Sequence, residues 1–361
     1  PRLEKAAQLI AEAHKPLIYC GGGVTISGAE DELAAFADRI DAPVVSTLMG
    51  LGALPADNPR MLGMLGMHGT HAANIAMQRC DLLIAVGVRF SDRALGNAET
   101  FAAQAKVLHI DIDRAEINKN VSTTLHITGD ARIVLELLLA RVSQKSHEQW
   151  MRQARSMMEE YLSDELFEPR KILRQMAAIA PEMTVATDVG QHQMWTAQHF
   201  PFLRPRQLIT SGGLGTMGFG LGAAMGAAAS DPEGRPVALV TGDGSFRMNL
   251  TELSTIGYYG IPVIIVIFNN GTLGMVRQWQ TLFFGHRYSQ TTLDRGPDFM
   301  KLADAYGLSG TRVNTVEMFA AAFRKAVEEK APCIIECMLD IDEMVAPMVA
   351  PGSPIDSFCL N

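Results

Sequence analysis

The residues best suited to chemistry lie in two short motifs at the ends of apolar runs. Gly-Asp-Gly-Ser occupies 242–245, and Asn269-Asn270 follow the second run. Because parallel strands present their carboxyl ends at one edge of a sheet, we expect Asp243 and the asparagines to lie close together. Carboxylate and amide oxygens suit Mg²⁺, which phosphate groups of a ligand also coordinate. Each dipeptide alone is more typical of a turn, but their spacing predicts a site for a metal and a phosphate.

A strand–helix–strand unit must position these two motifs. The apolar runs at 237–240 and 263–268 are short and rich in β-branched residues, as in buried parallel strands. The residues 250–256 between them have helical spacing. Glycines on either side of Asp243 would let the backbone approach an anion closely.

Two glycine-rich or polar junctions should meet the same edge. The segment 187–193 follows a predicted strand and opens a helix, where backbone N–H groups favour phosphate. The segment 211–220 contains five glycines and Met217, which would admit a flat ring beside an apolar, polarizable side chain. For Gly215 and Met217 we favour a function, whereas helix packing is our interpretation of Gly220, Gly222 and Gly226.

Composition restricts the classes of protein. The chain has 361 residues, 48% of them hydrophobic, so it can form two domains with sizeable cores. Its formal net charge is −8 and its basic residues are scattered, so nucleic acid is not an expected partner. The longest apolar run is too short to span a bilayer. The five cysteines lack metal-ligand spacing, Cys333 and Cys337 are most simply buried thiols, and a reducing cytoplasm is the expected compartment.

Strands alternate with helices along most of the chain, which predicts an α/β fold of two doubly wound parallel-sheet domains. The first domain is predicted at 1–146, with a strand at 16–20 followed by three glycines. A polar, charged composition makes 147–168 a linker, and the second domain is predicted at 169–361. No internal repeat interrupts this pattern.

The first two motifs together resemble the thiamine diphosphate motif, Gly-Asp-Gly followed some two dozen residues later by Asn-Asn. That resemblance implies that Asp243, Asn270 and the backbone carbonyl of Thr272 are ligands of Mg²⁺. The metal would bridge the protein to the cofactor's diphosphate.

Five motifs in order give a closer resemblance, to the large subunit of acetohydroxyacid synthase (acetolactate synthase). They occupy 62–69, 87–93, 187–195, 213–220 and 273–279, and the resemblance covers essentially the whole chain. It implies condensation of two 2-keto acids with loss of CO₂, using thiamine diphosphate, Mg²⁺ and a structural FAD. It also implies a homodimer or tetramer in the full-length form, a possible small regulatory subunit, and branched-chain amino acid biosynthesis.

The resemblance also places cofactor contacts. Thiamine diphosphate positions would be Gly190, Gln191, His192, Gly215, Met217, Gly244 and Ser245. FAD positions, all within 1–146, would be Gly21, Gly22, Gly23, Thr47, Leu48, Met67, His68, Gly87, Arg89, Asp111, Ile112 and Asp130.

Four residues would serve the reaction itself. By resemblance, Met217 would hold the cofactor bent, and Arg93 would pair with a substrate carboxylate, a task suited to a planar guanidinium. Trp279, with Met275 on the same predicted segment, would shape the pocket for the second keto acid. Taken singly, each has an ordinary interpretation, such as a core tryptophan or a surface ion pair.

The sequence departs from the family pattern in two respects. Gly222 stands where the family usually has proline, which should loosen a helix start slightly. An amino-terminal pyrimidine domain, whose Glu promotes cofactor activation in the family, has no counterpart here, and Glu252 cannot take its place. We therefore expect these residues to be inactive alone. Other readings are a different FAD-containing relative, such as a glyoxylate carboligase, or a non-catalytic cofactor-binding regulator.

Overall fold

The computed structural model of the protein describes residues 1–158 and 168–360. These residues form two compact α/β units, each built on a six-stranded parallel sheet. The first unit contains residues 1–158, 202–205 and 346–360, and the second contains 168–201 and 206–345. The predicted fold class is confirmed.

The first unit alternates strands and helices from its first residues. Its helices are α1 (Arg2–Glu12), α2 (Gly22–Ser27), α3 (Glu30–Ile40), α4 (His71–Arg79), α5 (Asp92–Leu95), α6 (Ala131–Leu139) and α7 (Glu148–Ser156). Its parallel strands are β1 (Pro16–Cys20), β2 (Val44–Ser46), β3 (Met61–Met64), β4 (Leu82–Val86), β5 (Lys106–Asp111) and β6 (Leu125–Thr128). The side chains of β1 alternate between two cores, Ile18 and Cys20 in one and Leu17 and Tyr19 in the other. Helices therefore cover both faces of the sheet.

The strand order in this sheet is β3-β2-β1-β4-β5-β6. All neighbouring strands are parallel. The chain first builds outward from β1 to β3 and then returns to start β4 on the other side of β1. This reversal is the switch point at which doubly wound sheets bind ligands, at the carboxyl ends of the strands.

The second unit repeats the plan with a different order. Its helices are α8 (Pro169–Ile179), α9 (Gln191–His199), α10 (Phe219–Ser230), α11 (Asp243–Phe246), α12 (Leu253–Tyr259), α13 (Gly274–Phe283), α14 (Phe299–Ala305) and α15 (Val316–Glu329). Its strands are β7 (Thr184–Thr187), β8 (Leu208–Thr210), β9 (Val237–Gly242), β10 (Val263–Asn269), β11 (Ser309–Val313) and β12 (Cys333–Met338). The order is β11-β12-β10-β9-β7-β8, all parallel, with the switch point between β7 and β9.

The last residues return to the first unit. Strands β13 (Met348–Val349) and β14 (Phe358–Leu360) form an antiparallel pair, and the Val349 amide donates to the Met67 carbonyl at 2.8 Å. Helix α7 also packs on this unit, because the buried Trp150 indole donates to the Pro16 carbonyl at 2.9 Å. Residues 147–158 and 346–360 thus belong to the first compact unit, whereas the predicted bounds placed them in the linker and in the second domain. The rest of the predicted linker, 159–167, lies outside the described residues.

The apolar runs predicted the central strands well, but three edge or near-edge strands were not predicted. These are β3, β6 and β11, which are short, and β11 is almost wholly exposed. The predicted helix at 250–256 begins as a 3-10 turn, Leu250–Glu252, before α12. Edge strands gain their stability from one partner strand, so a strong apolar run is not required.

The interpretation of three glycines in α10 needs correction. A Cβ at position 220 would lie 2.5 Å from Leu239 Cδ1 and 2.9 Å from the Asp188 nitrogen, so Gly220 does serve close packing. A Cβ at Gly222 or Gly226 would meet no described atom within 4 Å. Packing within the described chain therefore explains only the first.

In the described part of the chain, no helix combines the length and apolarity needed to cross a bilayer. The five cysteines are all free thiols, and only Cys359 is exposed.

Candidate functional site

Three strand ends of the second unit form the edge where the predicted motifs lie. Strand register pairs Phe268 with Gly242 and Thr187 with Val240, so β7, β9 and β10 end at similar heights. Asp243 begins the helix that follows β9, and Asn269 ends β10. The strand register agrees with the prediction that these motifs lie at one edge of the sheet.

Asp243 is the most unusual of these side chains. Its exposed fraction is 2%, and its Oδ2 atom has no hydrogen-bond partner among the described residues. Arg247 is its nearest cation, with Nη2 4.0 Å from Oδ2, too far for a hydrogen bond. Burial raises the pKa of Asp243 to about 6, although Arg247 opposes the shift. A buried carboxylate oxygen without a hydrogen bond is costly unless a cation compensates its charge.

The Asn270 side chain is held from two directions. Its Nδ2 donates to Gln191 Oε1 at 3.1 Å, while its Oδ1 accepts a long bond from the Thr272 amide at 3.4 Å. Gln191 donates in turn to Gln278 Oε1 at 3.0 Å and to the Glu343 carbonyl at 2.8 Å. The structure therefore brings Gln191 and Asn270, predicted for cofactor and metal, into direct contact.

The ring of His192 lies against two glycines. A Cβ at Gly190 would lie 2.8 Å from its Cε1, and one at Gly242 would lie 2.9 Å from its Nδ1. Its Nε2 is buried and has no hydrogen-bond partner among the described residues. Burial lowers the pKa of His192 to about 4, against the influence of Asp188, so the ring is neutral near pH 7.

The remaining predicted thiamine diphosphate residues surround the start of α11. Ser245 is buried and donates to the Val189 carbonyl at 3.0 Å. A Cβ at Gly244 would lie 2.8 Å from Leu273 Cδ2 and 3.9 Å from Met217 Cε. Gly215 is exposed with a φ of 74°, a left-handed conformation that favours glycine.

These residues fit a metal-bound diphosphate. Asp243 offers an unbonded, buried carboxylate oxygen, which is the kind of group that a divalent cation neutralises. Asn270 and Thr272 add neutral oxygens on the adjacent strand end, and Gly244 leaves no side chain between Leu273 and Met217. The arrangement can hold an anion through a metal rather than through a basic patch.

Helix α13 carries the residues predicted for the second substrate. Trp279 is partly buried and makes an edge contact with Phe283, ring centroids 5.4 Å apart. Met275 is partly buried one turn earlier. The buried Gln278 anchors the helix by donating to the Val345 carbonyl at 3.0 Å. The ring contact of Trp279 is with Phe283 of the same helix, so its role in substrate binding stays a prediction.

The predicted FAD residues of the first unit all follow strand ends of its sheet. Gly21, Gly22 and Gly23 follow β1; Thr47 and Leu48 follow β2; Met67 and His68 follow β3; Gly87 and Arg89 follow β4; Asp111 and Ile112 close or follow β5; Asp130 follows β6. One sheet edge therefore collects the entire predicted set, around the switch point.

The turns after β1 and β4 touch each other through glycine. A Cβ at Gly21 would lie 2.2 Å from the Gly87 oxygen, and one at Gly23 would lie 2.6 Å from Gly87 Cα. Beside them Thr47 Oγ1 is buried and lacks a hydrogen-bond partner among the described residues. A side-chain-free cradle next to a buried hydroxyl fits the close approach of a dinucleotide.

The other predicted residues of this unit differ in their exposure and in their hydrogen bonds. The Met67 amide donates to the Arg93 carbonyl at 2.9 Å, and burial together with the Arg93 charge lowers the pKa of His68 to about 4. Arg89 and Arg93 are exposed, as is Ile112, whereas Asp111 is buried and accepts from the Asp113 amide at 2.8 Å. Asp130 caps α6 by accepting from the Ile133 amide at 3.2 Å.

Two buried acidic residues near the second-unit edge were not predicted as site residues. Asp188 accepts from the Gly220 amide at 2.8 Å and from the Thr241 hydroxyl at 2.7 Å, which ties β7, β9 and α10 together. Glu336, in the otherwise apolar β12, accepts from Asn269. A single acid directly after or within an apolar strand was the signal available in the sequence.

Comparisons with known proteins agree with this geometry. The central domain of thiamine pyrophosphate enzymes matches residues 3–138, and their C-terminal TPP binding domain matches residues 188–337. A "Probable acetolactate synthase large subunit" of Methanocaldococcus jannaschii is 44% identical over 97% of this chain and 62% of its own length. "Acetolactate synthase isozyme 2 large subunit" of Escherichia coli is 45% identical over 97% of this chain and 64% of its length.

A third relative gives the same result. "Acetolactate synthase large subunit" of Haemophilus influenzae is 41% identical over 100% of this chain and 65% of its own length. The chain thus spans somewhat less than two thirds of the curated relatives it matches.

Proposed function

This chain belongs to the family of thiamine pyrophosphate (thiamine diphosphate) enzymes and is a homologue of acetolactate synthase large subunits, and from that premise we propose its activity. We infer that it is the FAD- and diphosphate-binding part of an enzyme that condenses pyruvate with a second 2-keto acid and releases CO₂. The observation that carries the proposal is Asp243, a buried carboxylate without a hydrogen bond to Oδ2, beside the end of β10.

The second unit is proposed to hold the cofactor through Mg²⁺. Asp243, the Asn270 amide oxygen and the Thr272 carbonyl would be the protein ligands, and thiamine diphosphate would supply an electron sink for decarboxylation. The chain's other residues would keep these ligands in place. His192 stays neutral, and Gln191 holds Asn270 in place.

The other assigned residues have more local tasks. Gly190, Gly215, Gly244 and Ser245 would accept the diphosphate close to the backbone, while Met217 would pack against the flat part of the cofactor. Arg93 is proposed to pair with a substrate carboxylate, and Trp279 with Met275 to contact the second keto acid.

The first unit is proposed to bind FAD along the strand ends already described. The support is the glycine contact between the turns after β1 and β4, together with the buried Thr47 hydroxyl. Because the condensation has no net redox step, the flavin would be structural. We also propose a homo-oligomer, a small regulatory partner, a cytoplasmic location and a role in the branched-chain pathway. The regulatory partner is supported by the words "large subunit" in the relatives' names.

Calorimetry with thiamine diphosphate tests the metal site. The wild type should bind the cofactor only with Mg²⁺. Asp243→Asn should not bind the cofactor even with Mg²⁺, because the neutral amide cannot balance the charge of the cation. Asp304→Asn, an equal change at an exposed position of α14, is the matched control and should bind as the wild type does. Equal wild-type affinity with and without Mg²⁺ would rule out the proposed site.

The free energy of unfolding of the same variant separates an effect on binding from an effect on folding. Without metal, Asp243→Asn should raise the free energy of unfolding at pH 7.5 by up to about 3 kcal/mol, because a pKa raised from 3.8 to about 6 reflects a costly buried charge. A destabilised variant would mean that its loss of binding reports misfolding.

A further inference from the structure

Glu336 is a buried acid in a strand that is otherwise apolar. Its exposed fraction is 1%, and β12 around it reads Cys-Ile-Ile-Glu-Cys-Met. Strand register places Glu336 between Arg312 of β11 and Ile267 of β10. A fully buried carboxylate requires both compensation of its charge and hydrogen bonds to its oxygens.

Each carboxylate oxygen of Glu336 has one short hydrogen bond. Oε1 accepts from Asn269 Nδ2 at 2.6 Å, and Oε2 accepts from Arg312 Nε at 2.7 Å. Bonds to a charged group are shorter and stronger than neutral ones. The carboxylate therefore links a cation on one side to an amide on the other.

The cation side of this link reaches the solvent. The Arg312 side chain is about half exposed, and its Nη2 lies 3.3 Å from Asp298 Oδ1 at the start of α14. The hydrogen bond with Glu336 raises the pKa of Arg312. The ion pair engages Oε2 of Glu336 and leaves Oε1 for Asn269.

The amide side reaches the proposed metal loop. Because Glu336 takes the Asn269 Nδ2 group, the amide oxygen must face the other way, where it accepts from the Gly271 amide at 3.0 Å. Gly271 has a φ of 66°, and its carbonyl accepts from the Leu293 amide at 2.8 Å. The direction of one amide thus determines the turn at 269–272.

We propose that Glu336 is a positioning residue of the divalent-cation site, acting through Asn269. Its hydrogen bonds go to Asn269 and Arg312 rather than to the proposed ligands, and through Asn269 it would fix the turn that presents Asn270 and the Thr272 carbonyl. This inference rests on the proposed function, since it concerns the affinity of the cation site proposed there. Outer partners that orient ligands typically change metal affinity by about 10–100-fold when they are removed.

A purely structural ion pair predicts a different pattern. In that case, changing Glu336 would lower the stability of the second unit without a specific effect on metal affinity. The positioning role instead predicts coupling: once Asn269 is removed, Glu336 has nothing left to orient, and its own replacement should have little further effect on the cation.

The experiment uses the whole 361-residue chain with Mn²⁺ as the probe and saturating thiamine diphosphate. Free Mn²⁺ is measured by electron paramagnetic resonance for the wild type, Glu336→Gln, Asn269→Ala and the double variant. Each single change should raise the Mn²⁺ dissociation constant about 10–100-fold, and the double variant should be no weaker than the weaker single variant. Glu317→Gln, an exposed acid at the start of α15, should change nothing.

Three outcomes are decisive. Wild-type affinity in Glu336→Gln overturns the inference, whether or not its melting temperature falls. Losses that multiply in the double variant also overturn it, because the two residues would then act independently. If the wild type itself takes up no Mn²⁺ with thiamine diphosphate, the proposed function fails. If the wild type binds Mn²⁺ and Glu336→Gln binds it equally well, only the positioning role of Glu336 fails.

Discussion

At the scale of single residues, three of the buried ionisable side chains at one sheet edge of the second unit differ in their hydrogen bonding or charge. Asp188 has both carboxylate oxygens hydrogen-bonded, His192 is kept neutral by burial, and Asp243 has a raised pKa with one oxygen unbonded. A fold under selection for stability alone would satisfy the third as it satisfies the first. The contrast between the two aspartates supports the ligand role proposed for Asp243.

Trp279 belongs to the same scale. In an active enzyme that contains this chain, Trp279→Leu should lower the preference for 2-ketobutyrate over pyruvate by about tenfold, because one methylene in a fitted pocket contributes ~1–3 kcal/mol. The measurement is the product ratio when the two acceptors compete.

Phe284→Leu, a half-exposed aromatic just beyond the end of α13, is the control and should leave the ratio unchanged. An unchanged ratio in Trp279→Leu would remove that side chain from the acceptor pocket.

At the scale of elements, helix α10 shows how a glycine can be required or merely tolerated. Gly220 lies against Leu239 and the backbone of Asp188, whose carboxylate also accepts from the Gly220 amide. Gly222 lies two positions further along the helix, where a Cβ would meet open space. The same residue type therefore has opposite consequences two positions apart.

Alanine at these two positions should change stability in opposite directions. Gly222→Ala should raise the free energy of unfolding by about 0.5–1 kcal/mol, since alanine has the higher helix propensity. Gly220→Ala should lower it by about 1–3 kcal/mol, because β7 and α10 must move apart. Urea unfolding of both variants measures the difference, and equal effects would contradict the packing described for Gly220.

At the scale of the whole molecule, two parallel-sheet units each place their glycine-rich turns at a topological switch point. The two cofactor sites proposed for this chain rest on this arrangement. The chain nevertheless spans only 62–65% of the lengths of three relatives, and none of its glutamates is among the residues proposed to contact the thiamine ring.

The purified 361 residues should therefore form acetolactate very slowly. With pyruvate, Mg²⁺, FAD and thiamine diphosphate, we expect turnover at least ~10²–10⁴-fold below a complete synthase, the usual contribution of one proton-transfer group. Calorimetry on the same sample checks that cofactor is bound. Turnover near that of a complete synthase would mean that a residue of this chain activates the cofactor.

The sequence by itself determined the fold class, the central strands and the sheet edge of the site. Apolar runs such as 263–268 are long enough to identify buried parallel strands, and parallel strands necessarily bring Asp243 and Asn270 to one edge. It did not predict the edge strands β3 and β11, whose hydrogen bonds depend on a neighbour distant in sequence. Only the tertiary structure decided that residues 346–360 group with the first unit.

The same division holds within the site. Spacing indicated which residues could bind a cation, but not that Asp243 lacks a hydrogen bond to Oδ2 or that Glu336 orients Asn269. Burial, hydrogen bonding and the pKa of a side chain depend on every element packed around it, and β12 lies more than 60 residues from Asn269 in the chain. The local sequence specified the ligand types, and the packing of distant strands decided their direction and charge.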